Sequence, residues 1–252
     1  MSDPLEHPIA DTLGAVDDAL DWFSTRLGLP HDAASGPPGE WVCCAAVDAR
    51  FVARWERELD ARLSGTLGRS HPQTCSGYVL DWYAGVPARL GGMAFALGHR
   101  VPRLDRHALA FHLHAEHRFP TGVAVLDPRF WCLPDDPAAG HTDATVVPDA
   151  DALDAVLRAQ VKAHADDFLA DYSSGARLPR RQRLGAFLDA LDSGLRMGAE
   201  SRGIAGDEAT SASPRRTTCC YYFKVSGGAV CSTCPRLVET ERVSALPAAA
   251  EG

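Results

Sequence analysis

Apolar residues recur every three or four positions along most of this chain, and the exceptions define its middle. Over 11–27, Leu13, Val16, Leu20, Phe23 and Leu27 keep helical spacing, with Asp11 placed to cap the start and Gly28 and Pro30 to stop it. HDAASGPPGE (31–40) has the composition of a loop. A second helix is predicted over 49–64 from Phe51, Val52, Trp55, Leu59 and Leu63. Residues 74–98 carry a further helical pattern, interrupted at Gly85–Pro87 and resumed through Met93, Phe95 and Leu97. The period then falls to two. In HALAFHLHA (107–115), Leu109, Phe111 and Leu113 alternate with Ala110, His112 and His114; FPTG supplies a turn and GVAVLD (122–127) a partner strand, so an antiparallel hairpin is expected. TDATVV (142–147) is a weaker strand. Helical spacing returns over 150–172, through Leu153, Val156, Leu157, Val161, Phe168 and Leu169, and over 180–200 from Pro179 onward, through Leu184, Phe187, Leu188, Leu191 and Leu195. The predicted class is α+β, helices packed with an antiparallel hairpin or small sheet, within a body spanning 1–205. GIAGDEATSASP (203–214) reads as a linker into a small C-terminal module, 206–252.

Composition excludes more than it selects. At 252 residues, 46% hydrophobic and 23% charged, the chain can bury a sizeable core. No stretch approaches the roughly 18–20 apolar residues of a membrane span. The opening MSDPLEHPIADTL has neither a basic start nor an apolar stretch, so no signal peptide is read and a cytosolic protein is expected. A net charge of −8 argues against general nucleic-acid affinity. That charge is uneven: residues 1–176 carry 14 Lys/Arg against 25 Asp/Glu, whereas residues 177–252 carry 11 against 8.

The basic end also holds the densest chemistry. Four of the eight cysteines fall in TTCCYYFKVSGGAVCSTCPRL, as Cys219 and Cys220 side by side, then Cys231 and Cys234 in a C-x-x-C. In a reducing compartment such a cluster indicates metal or redox chemistry more than disulfides. Two C-x-x-C knuckles would suit one tetrahedral zinc. Consecutive residues of an extended chain point to opposite sides, so Cys219 and Cys220 share a single ion poorly, while two irons offer separate anchoring points. Rieske ligation would need two histidines, and none lies in 165–252.

The C-C-x10-C-x2-C spacing resembles the C-terminal [2Fe–2S] signature of the FhuF-like ferric-siderophore reductases. Arg215 and Arg216 upstream, the aromatic run Tyr221–Phe223, the Gly227–Gly228 turn and the proline after the last cysteine are similar to the same family. The resemblance implies a [2Fe–2S] cluster on Cys219, Cys220, Cys231 and Cys234, and a cytoplasmic protein that passes one electron to siderophore-bound ferric iron, releasing ferrous iron. It implies a ferric siderophore of hydroxamate type as substrate. Because no phosphate loop and no strand–GxGxxG–helix fingerprint is present, electrons are expected from a ferredoxin or flavoprotein. Arg215, Arg216, Lys224 and Arg236 are placed to offset cluster charge. Arg180 and Arg181, with Arg177 and Arg183, are candidates for steering a donor or an anionic chelate. Two other readings stay open: a non-enzymatic protein with structural zinc on the same cysteines, and a [2Fe–2S] electron carrier or iron sensor.

The remaining candidates have plainer readings. Cys43 and Cys44, with Cys75 and Cys132, sit mostly among apolar residues and are expected to be buried thiols. His112, His114, Glu116 and His117 are expected on the solvent face of an edge hairpin, with part of a siderophore pocket as the alternative. Trp82, Tyr83 and Trp131 read as core or pocket-lining aromatics.

Overall fold

The axis of the fold is a helix buried on most of its circumference, which therefore needs neighbours on every side. In the computed structural model, which describes residues 7–30, 38–203, 216–225, 230–231 and 233–237, this is α3 (Pro72–Gly98). Around it stand α1 (Pro8–Ala19), α2 (Ala49–Leu67), α4 (Ala150–Asp171) and α5 (Arg180–Ser201). Asp48 and Asp149 cap α2 and α4 by accepting the Phe51 and Ala152 N–H groups, each at 2.8 Å.

The break predicted at Gly85–Pro87 does not occur; α3 runs through Pro87. A helical proline costs about 3 kcal/mol. Val86, Ala88 and Leu90 beside it are 0–1% exposed, and burying residues of this kind contributes roughly 1.5–3 kcal/mol for a Val or Leu side chain, so packing decides.

Strands β1 (Ser24–Leu27), β2 (Gly39–Cys43), β4 (Leu109–His114) and β5 (Pro120–Val125) form one sheet in the order β1-β5-β4-β2. The expected hairpin is its centre, β4 antiparallel to β5 with Phe111 opposite Val123. A second sheet joins β3 (Val101–Pro102), β6 (Phe130–Cys132) and β7 (Ala144–Val146) in the order β3-β6-β7. The class is α+β, as the pattern predicts.

Two predicted segments change. The helix expected over 11–27 ends at Ala19, is capped by His7 rather than Asp11, and gives way to β1, which runs parallel to β5. Asp17 holds this turn: its carboxylate accepts both the N–H and, at 2.7 Å, the hydroxyl of Thr25. The end of the predicted loop 31–40 is β2, paired antiparallel with β4; residues 31–37 lie outside the described set. Among the described residues no helix is long and apolar enough to cross a membrane.

One polar contact sits in the middle of the core. His164 of α4, 1% exposed, has Nδ1 2.6 Å from the Leu104 carbonyl and Nε2 2.9 Å from the Tyr83 hydroxyl. A carbonyl only accepts, so Nδ1 carries the proton and Nε2 accepts from Tyr83. Burial pulls the His164 pKa down to about 4, against an opposing pull from its bond to Leu104; Arg106 lowers it further, and Asp167 and Asp105 act the other way. The unfolded chain thus binds a proton that the folded chain refuses between an ordinary histidine pKa and about 4. The stability this neutral imidazole supports is full above about pH 6.5 and is lost as pH falls toward 4, by roughly 3 kcal/mol. Denaturant unfolding across that range should show the gap between the native chain and His164→Gln narrowing by that amount.

Candidate metal centre

The C-terminal segment lies across α3 and the first half of α5, and two glycines make room for it. A Cβ at Gly77 of α3 would meet the Cys220 carbonyl oxygen and the Tyr221 ring at 3.2 Å; one at Gly185 of α5 would meet Thr218 Cγ2 at 2.6 Å. Hydrogen bonds then pin the backbone. Gln182 clamps Cys219 from both sides, donating Nε2 to its carbonyl at 2.7 Å and accepting its N–H at 3.1 Å. Asp189 accepts the Thr217 N–H and hydroxyl at 2.9 and 2.8 Å, the Thr218 N–H at 2.9 Å, and the Thr218 hydroxyl. Thr74 donates to the Tyr221 carbonyl at 2.9 Å and Arg69 to that of Val225 at 2.7 Å. Gln73 accepts from Lys224.

On this base two sulfurs stand close: the first pair, Cys220 Sγ and Cys231 Sγ, are 4.0 Å apart. Cys234 lies within electrostatic reach of both Cys219 and Cys231. Two thiolates on one tetrahedral metal at about 2.3 Å stand roughly 3.8 Å apart, so the first pair has the spacing a shared metal ion requires. Cys220, not Cys219, makes that approach, so the two consecutive thiols diverge. Tyr221 makes the divergence possible. It adopts a left-handed φ of 57°, and its N–H turns back onto Cys219 Sγ at 3.4 Å. The C-x-x-C closes with the Cys234 N–H on the Cys231 carbonyl at 2.9 Å. Cys220 and Cys234 are buried, Cys219 and Cys231 half-buried. Of the first pair Cys231 is the readier thiolate: its hydrogen bond with Cys220 holds it down, helped by Thr233 and Arg216, and the same bond and burial push Cys220 up.

The basic residues divide. Arg216 reaches the Cys220–Cys231 pair electrostatically, but its charge is shared with Asp81, in direct contact, and with Asp189 at 3.8 Å. The Arg216 backbone N–H donates to the Thr233 carbonyl at 3.2 Å, tying the two cysteine-bearing stretches together. Arg236 lies over the Phe223 ring at 4.5 Å. Arg180 and Arg181 are exposed on the first turn of α5, just ahead of Gln182. Arg215, Gly227 and Gly228 lie outside the described residues, as does most of the segment read as a linker.

Elsewhere the plainer readings hold in part. Cys44, Cys75 and Cys132 are buried and Cys43 half-buried, and burial raises the thiol pKa of Cys44, Cys75 and Cys132. Among the described residues they form no joint metal site. The histidines do not line the outer face of an edge hairpin: β4 lies inside the sheet, between β5 and β2. His112 is 5% exposed, bonded to Thr121 Oγ1 at 2.7 Å and beside the Trp41 ring. β2, hidden in a loop-like composition, is what covers it. His114 is half-buried and Nδ1 accepts the N–H groups of Glu116 and His117, both at 3.1 Å, closing the turn. His7, His141 and Asp143 also converge, but His7 Nδ1 caps α1 while its Nε2 faces Asp143 at 3.1 Å, and His141 Nδ1 accepts the Asp143 N–H at 3.1 Å. The two Nδ1 nitrogens serve the backbone, and His7 Nε2 serves the Asp143 carboxylate.

Gln182, Gly185 and Asp189 escaped the sequence reading. They lie at i, i+3 and i+7, one face of α5, and the signal was a polar and glycine stripe where an amphipathic helix has alternatives to both.

Residues 216–236 match the family model described as the FhuF 2Fe-2S C-terminal domain. No curated protein and no solved structure matches the chain. The matched stretch holds all four clustered cysteines and the arginine whose backbone joins their two halves, so the cofactor is a [2Fe–2S] cluster, and over residues 216–236 the chain is similar to the FhuF 2Fe-2S C-terminal domain family.

Proposed function

We propose that this protein is a cytoplasmic ferric-siderophore reductase whose redox centre is held by Cys219, Cys220, Cys231 and Cys234. The observation that carries the reading is the 4.0 Å approach of Cys220 and Cys231 within the family-matched stretch that holds all four thiols, with half-buried Cys219 and Cys231 toward the surface. The bound cluster supplies one-electron chemistry: one electron passed to chelated ferric iron gives ferrous iron, which hard oxygen donors hold poorly, and the chelator is released intact.

The chain's own part is to bind, orient and shield. Asp189 fixes the backbone before Cys219, Gln182 fixes Cys219 itself and Thr74 fixes Tyr221 beyond Cys220, so a change of charge at the sulfurs moves little around them. Tyr221, Tyr222 and Phe223 are half-buried beside the cysteines and restrict water. The body, 1–205, binds the chelate, and the module, 206–252, carries the cluster. Arg180, Arg181 and Arg236, exposed on and beside the cysteine segment, form the basic approach for an acidic ferredoxin or flavoprotein donor.

A single-turnover experiment tests this. Dithionite-reduced, desalted protein mixed anaerobically with a ferric siderophore should recover its oxidised visible spectrum, with one ferrous ion trapped by a chromogenic chelator for each cluster oxidised. Protein that stays reduced in the presence of the chelate, or is reoxidised without ferrous iron appearing, overturns the reductase reading and leaves an electron carrier.

A further inference from the structure

The cation that reaches the Cys220–Cys231 pair is already matched. Arg216 contacts Asp81 and stands 3.8 Å from Asp189, so two carboxylates offset most of what its charge could lend the sulfurs. Neutral donors are left to respond to charge there. Backbone N–H groups are one kind; that of Tyr221 meets Cys219 Sγ at 3.4 Å. Thr233 supplies another. Standing between the two cysteines of the C-x-x-C, it donates its hydroxyl to Cys231 Sγ at 4.0 Å. That is long for a hydroxyl on sulfur, and a charged acceptor draws such bonds shorter and makes them about twice as strong.

The two parts of Thr233 do separate things. Its carbonyl accepts the Arg216 backbone N–H at 3.2 Å and joins the cysteine-bearing stretches, a bond that a change of side chain leaves in place. Its side chain is half-buried and borders a cavity of about 220 Å³ between α3 and α5, so an isosteric replacement meets no new wall.

We infer that the Thr233 hydroxyl sets the reduction potential of the centre, by donating to Cys231 Sγ more strongly in the reduced state than in the oxidised one. Reduction adds one negative charge to the irons and their sulfurs, and hydrogen bonds to the sulfurs are among the factors that fix the potential of such clusters. The bond strengthens as its acceptor gains charge. It therefore favours the reduced form and raises the potential, so that a weaker reductant can load the centre. A backbone N–H acts in the same direction, but no substitution removes it; at Thr233 a side chain sets the value. The inference rests on the cluster assignment and needs no chelate, so it stands apart from the reductase reading.

Redox titration of the cluster-loaded protein, followed by visible absorption at one pH, is the test. Thr233→Val removes the hydroxyl at nearly constant volume. It should load iron and sulfide as the native protein does and keep the native spectrum. Its ratio of reduced to oxidised centre at a given solution potential should fall about three- to tenfold, roughly 30–60 mV at 59 mV per tenfold. Thr233→Ser keeps the donor and should return the native potential. A second measurement follows the proton itself. Pulsed electron–nuclear double resonance of the dithionite-reduced centre should show an exchangeable-proton coupling in the native protein and Thr233→Ser that Thr233→Val lacks. Ser193→Ala borders the same cavity, but Ser193 bonds to Met197 Sδ at 3.6 Å; its potential should stay native. A native potential or a retained coupling in Thr233→Val, or an equal fall in Thr233→Ser or Ser193→Ala, overturns the inference. Should Thr233→Val not load, Thr233→Ala removes the same hydroxyl and decides by the same criteria. A native protein that holds no centre would bring down the cluster assignment itself. The expected shift, in a protein that reduces no ferric chelate, would bring down the reductase reading and leave this role of Thr233 standing.

Discussion

Serine in place of Cys231 is expected to strip the protein of its visible absorption and of the paramagnetic signal seen after dithionite reduction, with iron and acid-labile sulfide falling to background. The sulfur is one half of the 4.0 Å pair with Cys220 and the readier thiolate of the two; a serine hydroxyl is a poor substitute for a soft thiolate ligand. Cys220→Ser should do the same and cost more stability, because Cys220 is buried against α3 at Gly77. Metal binding and local folding are coupled, so both variants should also become more open to proteolysis near 216–237. Cys43→Ser is the control. Cys43 is half-buried on β2, its thiol facing the Arg106 carbonyl at 3.9 Å, and its loss should leave absorption, iron and sulfide unchanged. Equal loss in the control, or a native spectrum in Cys231→Ser, would remove the assignment of these ligands.

The two halves of the site were unequally legible in the sequence. The four cysteines of the candidate site stood out through spacing, because consecutive cysteines followed by a C-x-x-C constrain what can be held. Its support did not. Asp189 and Gln182 look like ordinary polar residues of an amphipathic helix, and only the docked segment shows that they face inward to hold backbone N–H groups. Helices α2, α4 and α5 were readable because each is amphipathic and begins at a capping Asp or a proline, local signals that tertiary contacts reinforce. The failures were tertiary. Phe23 and Leu27, four apart, share a face in a helix and in a strand alike, and Asp17 bonding to Thr25 made the choice. At Pro87 a local penalty met a fully packed surround and lost. His112 alternates with apolar residues as a solvent-facing strand position would, and its burial depended on β2, whose residues follow a segment rich in glycine and proline.

Asp189→Ala should damage the centre almost as severely as losing a ligand, though it removes no sulfur. One carboxylate, 8% exposed, takes two backbone N–H groups and two hydroxyls from Thr217 and Thr218, the residues just before Cys219. Without it those donors lose their acceptor, and Thr218 is 1% exposed, so water reaches it only if the loop lifts. An orphaned buried donor costs about 1–3 kcal/mol, and Arg216 would also lose one of its two acids, leaving an expected destabilisation of roughly 3–5 kcal/mol. Lifting the loop separates Cys219 and Cys220 from the C-x-x-C that Arg216 ties to them. Cluster absorption should therefore bleach much faster under a ferrous chelator than in the native protein, and denaturant unfolding should register the loss. Leu188→Ala, one position away on α5 and 55% exposed, should change neither. A cluster as long-lived in Asp189→Ala as in the native protein would mean that the sulfurs and their irons hold the loop, and that α5 merely lies beneath it.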